Sequence, residues 1–180
     1  MSIHDQYLYL KSRPSEINEH LEDLYNLGKK CEHITEFGCG HGVSLRAFMA
    51  SKPKKIVSYD YRPQETVYAA IGDASNDHEC QKTQFQYIIQ DIMTVTDIEE
   101  TDLLFVDSLH TYSQVKHELK FGNKARKFIA FHDTVLFGRD GERGEEGIMR
   151  AIEEFLVENS HWKVIMNKEN CCGLMVLQII

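Results

Sequence analysis

The sequence predicts an α/β protein: a doubly wound, mostly parallel sheet with an antiparallel C-terminal strand. Three observations carry that prediction. Short apolar runs alternate with helix-like or polar stretches, each run ends at an acidic residue, and a glycine-rich turn follows the first run. With 180 residues the chain has room for one domain, taken as 1–180. It is 42% hydrophobic and carries a formal charge of −8. Disorder and fibrous repeats do not fit that composition, and an acidic surface makes duplex nucleic acid a poor partner. No membrane span is expected, since no apolar run reaches the length one needs, and no secretory leader is legible at Met1–Gln6.

Taken in order, residues 1–30 are expected to form an N-terminal helical segment. Ile17, Leu21 and Leu24 at helical spacing predict one helix over 15–28, with Gly28 as its stop. Ile34–Phe37, Ile56–Tyr59, Phe85–Ile89, Leu103–Val106 and Phe128–Phe131 read as buried parallel strands. A helix is expected to start near Val43, and two more carry the stripes Tyr112/Val115/Leu119 and Ile148/Ile152/Phe155/Leu156. Trp162–Met166 and Gly173–Ile180 read as two closing strands around a turn at Asn167–Asn170. Before them lies 138–147, so polar and glycine-rich that it reads either as a lid over the strand-end edge or as a solvated loop. Arg139 and Arg143 in it are the cations placed to meet an anionic ligand there, whereas the cations of 116–127 read as a solvated face.

The acids are Glu36, Asp60, Asp91, Asp107 and Asp133. Any one of them could merely cap the next helix. Five along one strand-end edge, where ligands of such sheets bind, point to a binding site instead. The five cysteines are odd in number, lack ligand spacing and read as reduced thiols of a cytoplasmic protein.

The stretch Glu36-Phe37-Gly38-Cys39-Gly40-His41-Gly42 lets the chain turn tightly and lets a ligand approach the backbone. A dinucleotide fingerprint would need glycine where Val43 stands. The pattern E-x-G-x-G-x-G instead resembles motif I of the class I S-adenosylmethionine-dependent methyltransferases, which have a Rossmann-like fold. The resemblance implies S-adenosylmethionine as cofactor, with Glu36 tied to its methionine end, Asp60 on the ribose and Asp91 with Ile92 at the adenine. Gly38, Cys39, Gly40, Gly42, Tyr61 and Asp107 would complete that site.

Asp107-Ser108-Leu109-His110-Thr111-Tyr112 and His132-Asp133-Thr134 bring a second group to the same edge. An imidazole can accept a hydroxyl proton near neutral pH, and two carboxylates with an imidazole can hold a divalent cation. His132 also reads as a core histidine. These segments resemble the macrocin O-methyltransferase and cephalosporin-hydroxylase-like subgroup. That resemblance implies Asp107 and Asp133 as ligands of Mg²⁺ or Mn²⁺, with His132 in the place of an acid, and His110 as general base. It also implies a small-molecule or glycan hydroxyl as acceptor. The N-terminal region is shorter than in the larger relatives, about one helix, so a homo-oligomer could complete the acceptor pocket. A nucleotide-dependent oxidoreductase and a catalytically inactive binding protein of the same fold remain as alternatives at this level.

Overall fold

The structure, a computed structural model, describes residues 1–180. Seven strands form one sheet: β1 (His33–Phe37), β2 (Lys55–Asp60), β3 (Gln84–Ile89), β4 (Thr101–Val106), β5 (Ala125–His132), β6 (Trp162–Lys168) and β7 (Leu174–Ile179). Their spatial order is β3-β2-β1-β4-β5-β7-β6. The first five pair in parallel, and β7 runs antiparallel between β5 and β6. Successive strands are therefore laid down in opposite directions outward from the β1–β4 seam, the switch point at which doubly wound sheets bind ligands.

Strand periodicity of two divides the apolar residues between two layers. Leu103 and Phe105 of β4 face one core, packed with α1 (Ile3–Lys11), α2 (Leu21–Gly28), α3 (Val43–Ser51) and α4 (Glu65–Asn76). Leu104 and Val106 face the other, under α5 (Tyr112–Glu118) and α6 (Met149–Glu158). The central strands are apolar on both faces because both faces are covered, whereas edge strand β6 leaves Val164 and Ile165 nearly half exposed.

All seven expected strands are present, within three residues of the expected ends. The N-terminal region differs from expectation. The helix expected over 15–28 is shortened to α2, Leu21–Gly28, preceded by a single tight turn at Asn18–His20, and a further helix, α1, stands before it. The missed helix, α1, starts at a reciprocal cap: the Ser2 hydroxyl accepts from the Asp5 amide (3.1 Å), and the Asp5 carboxylate accepts from the Ser2 amide (3.3 Å). It buries only Ile3, Gln6 and Tyr7, a stripe too short and too polar to register as periodicity.

Candidate active site

The glycine turn leaves β1 at Phe37 and enters α3 at Val43. Gly38 has φ +80°, and a Cβ there would stand 2.1 Å from the Asp107 carbonyl oxygen. Only glycine lets β1 and β4 approach so closely at their ends, so this residue sets the floor of the site. Gly40 differs: a Cβ there would meet nothing within 4 Å, leaving its backbone open to a ligand. The Gly40 amide donates to Asp60 Oδ2 at 3.0 Å, and the Cys39 thiol points at the same oxygen from 3.6 Å. Asp60 Oδ1 accepts from the Arg62 amide at 3.3 Å. Asp60 thus holds the turn in shape from the end of β2.

Other expected cofactor residues fall into different environments. Glu36 does not reach the rim. It shares a sheet face with Ile34 and lies fully buried under α3, accepting hydrogen bonds from the hydroxyls of Ser44 (2.5 Å) and Ser58 (2.7 Å). Burial pushes its carboxyl up to about 7 despite those two bonds. Asp91 Oδ1 caps the short turn at Ile92–Thr94 by accepting from the Met93 amide (2.9 Å). The Ile92 side chain is buried in the second core, so only its backbone could meet a ligand. Tyr61 is exposed, with the Arg62 guanidinium over its ring.

Beside the turn, three side chains converge. One ligand atom each from Asp107, His110 and Asp133 lies within 4.8 Å of the other two. His110 Nε2 is 3.3 Å from Asp107 Oδ1 and 3.0 Å from Asp133 Oδ2. Its Nδ1 is 2.7 Å from Glu142 Oε1, and its ring stacks on Phe137 with centroids 5.0 Å apart. Burial disfavours the charged imidazole, but Asp107, Asp133 and Glu142 together raise it to about 9. Burial likewise pushes Asp107 up, and hydrogen bonds from His110 and His132 overcome that and pull it down to about 2. At neutral pH the imidazole therefore carries a proton among three carboxylates.

His132, expected among the metal ligands, is almost wholly buried behind the carboxylates, with Nδ1 3.3 Å from both Asp107 Oδ1 and Asp133 Oδ1. Asp133 adopts a left-handed conformation (φ +59°) immediately after β5. The back of the His132 ring meets His20, a buried residue that nothing in the sequence pattern marked.

Loop 138–147 is largely exposed to solvent, one of the two readings of its sequence, and it is also tied to the site. Asp140 and Glu146 bridge, the Gly147 amide bonds the Arg139 carbonyl (2.6 Å), and the Glu142 amide bonds the His110 carbonyl (3.0 Å). Glu142, missed in the sequence, is the loop's contribution to the cluster. No local signal separates it from its neighbours Glu145 and Glu146. Arg139 lines a cleft of about 800 Å³ with Thr134, Val135, Leu136, Met149 and Arg150; Arg143 does not. The cations of 116–127 are largely paired, Lys116 with Glu154, Lys124 with Asp97 and Lys127 with Asp102. All five cysteines are free, and no helix is long and apolar enough to cross a membrane.

A sheet of this order, with a glycine turn after β1 and an acid ending β2, is the Rossmann-like methyltransferase fold. A family model described as a methyltransferase domain matches residues 35–134, more than half of the chain. The chain belongs to that family and is an S-adenosylmethionine-dependent methyltransferase. This removes the oxidoreductase alternative. No protein of curated function matches the sequence. Among solved structures, the chain is similar to the O-methyltransferase TomG of Streptomyces achromogenes, involved in tomaymycin synthesis and solved with S-adenosylmethionine. The identity is 15%, with 93% of this chain and 81% of that one covered, at a TM-score of 0.67. An O-methyltransferase from Bacillus cereus, solved with S-adenosylhomocysteine, is 11% identical over 99% and 90% of the two chains (TM-score 0.67). The N-methyltransferase NodS of Bradyrhizobium japonicum is 14% identical over 99% of each (TM-score 0.62). Likeness at these identities establishes the fold alone, and the fold serves both oxygen and nitrogen acceptors.

Proposed function

We propose that this chain is an O-methyltransferase assisted by a divalent cation, acting on a hydroxyl of a small molecule or glycan. The convergence of Asp107, His110 and Asp133 beside the glycine turn carries the reading. The carboxylates of Asp107 and Asp133 suit Mg²⁺ or Mn²⁺ as oxygen ligands, which leaves His110 Nε2 for proton transfer. A cation held there would polarise the acceptor hydroxyl and fix its oxygen in place.

The rest falls to the protein. The turn at Gly38–Gly42 takes the donor against its backbone, with Asp60 on the ribose and Asp91 toward the adenine. His110 Nε2 would receive the acceptor proton as the oxygen takes the methyl group; with its midpoint raised to about 9, the neutral, proton-accepting form is the minor one at pH 7 and grows as pH rises. Glu142 keeps Nδ1 engaged, so Nε2 is the nitrogen that faces the reaction. The carboxylates around the ring stabilise the imidazolium that results. A sugar hydroxyl is the favoured acceptor, in line with the macrocin-like D-x-x-H-x-Y segment.

The test is release of S-adenosylhomocysteine from S-adenosylmethionine in the presence of glycoside and phenol panels, with EDTA and Mn²⁺ add-back. Product that needs both a hydroxyl acceptor and the metal supports the reading. Turnover indifferent to EDTA removes the metal from it, and product only with amine acceptors removes the oxygen. Cofactor binding without turnover on any acceptor favours an inactive binding protein.

A further inference from the structure

Arg46 lies in α3, one turn beyond the glycine loop, and its guanidinium reaches three separate elements. Nη1 donates to the carbonyls of His41 (3.2 Å) and Gly42 (2.7 Å), the last two residues of the glycine turn. Nη2 donates to the Thr66 carbonyl (3.0 Å) in the first turn of α4. Nε donates to Gln6 Oε1 (2.9 Å) on α1, and Gln6 in turn donates from Nε2 to Asp73 Oδ2 (2.7 Å) on α4.

Two features separate this from an ordinary surface arginine. Its hydrogen-bond partners are neutral oxygens, and burial pulls the guanidinium down from its usual range, offset only in part by the charge of Asp73, which reaches it through Gln6 and not by a direct ion pair. Such a cost is met by geometry: a planar fork fixes several acceptors at once. The acceptors fixed here include the carbonyl of Gly42, a left-handed residue (φ +75°) whose Cβ position lies 2.9 Å from Nη1. The guanidinium therefore braces the backbone at the point where the turn becomes α3.

We propose that Arg46 is a positioning residue for the cofactor turn, and that α1 sets cofactor affinity through Gln6. This rests on the reading that Gly38–Gly42 binds S-adenosylmethionine. α1 then does more than cover the core: it is joined to the cofactor site by one continuous chain of hydrogen bonds, Asp73–Gln6–Arg46–Gly42.

The test uses the full chain and S-adenosylhomocysteine as probe, with calorimetric titration of wild type, Arg46→Met, Arg46→Lys, Gln6→Leu and the Arg46→Met/Gln6→Leu double variant. Arg46→Met is expected to weaken binding about tenfold to a hundredfold, the loss of charge-assisted bonds to the turn. Arg46→Lys, which can still reach one carbonyl, should fall between. Gln6→Leu should cost a few-fold, as about one hydrogen bond's worth, and the double variant should lose less than the product of the singles. Melting temperatures of the ligand-free variants separate affinity loss from unfolding, and Gln6→Leu keeps the question open to decision if Arg46→Met folds poorly. Wild-type binding with Arg46→Met within twofold of it overturns the proposal alone, as does strict multiplicativity in the double variant. No binding by wild type overturns the cofactor reading and this inference with it.

Discussion

Glu118 offers a perturbation whose size can be worked out before any acceptor is known. Its side chain is fully buried at the end of α5; Oε1 accepts from the Ser108 hydroxyl and from Gln114 Nε2 (2.9 Å), and Oε2 has no partner. Burial pushes the carboxyl up to about 7, from an ordinary value of 4.5. The fold thus disfavours the ionised form. That penalty is absent below the unfolded pKa, grows as pH rises, and is complete above the folded one, so Glu118 lowers stability progressively between about pH 4.5 and 7. At ~1.4 kcal/mol per pH unit, the penalty approaches ~3 kcal/mol at pH 8. In Glu118→Gln the amide oxygen can keep both bonds and nothing ionises. The swapped NH₂ meets the orphan position at every pH, so the informative quantity is the difference between two pH values. From pH 5 to pH 8 the variant should gain ~2–3 kcal/mol relative to wild type, about 4–12 °C in Tm for a chain of this length. Urea titration followed by the single, buried Trp162 reads it directly. A difference between variant and wild type that is the same at both pH values would refute the reasoning. Glu36→Gln is a second, independent case, since Glu36 is raised to about 7 by the same cause.

Gly38→Ala should cost about 2–4 kcal/mol and abolish cofactor binding, since its Cβ would overlap the Asp107 carbonyl at a left-handed position; urea titration showing a change below ~0.5 kcal/mol, on the scale of a neutral surface substitution, would contradict this. Asp133→Asn should remove Mn²⁺ binding, followed by electron paramagnetic resonance, and leave S-adenosylhomocysteine affinity within about threefold, under ~0.7 kcal/mol. Retained Mn²⁺ would place the cation elsewhere. Glu142→Leu takes away one of three carboxylates around His110, so the imidazole midpoint should move down from about 9 in an NMR titration. A midpoint that stays put would mean Glu142 does not hold the ring in solution.

Much of the fold was legible because its causes are local. Val, Ile, Leu and Phe in runs of four to six, bounded by polar residues, mark buried strands, and β1 to β5 lie where those runs do; only β3, expected to be buried, is exposed to half-buried because it forms the sheet edge. α6 followed its stripe for the same reason. α1 escaped because its marker was a cap between Ser2 and Asp5 rather than a periodicity. Within the site, Gly38, Asp60, Asp107, His110 and Asp133 could be named because each stands at a strand end, and strand ends of a parallel sheet share an edge. Glu36 stands one residue earlier, where the pleat turns it inward beneath α3.

By itself the sequence determined a parallel α/β sheet, a glycine turn only glycine can make, and a row of acids at the strand ends, since each follows from composition and spacing along the chain. Which side chains meet was decided by the tertiary structure. Asp107, His110 and Asp133 converge from separate segments, and the His132 ring lies behind them against both carboxylates. The folding back of 138–147 put Glu142, 32 residues away in sequence, on the His110 ring. Such contacts depend on backbone direction after a strand and on long-range loop packing, and neither leaves a period in the sequence.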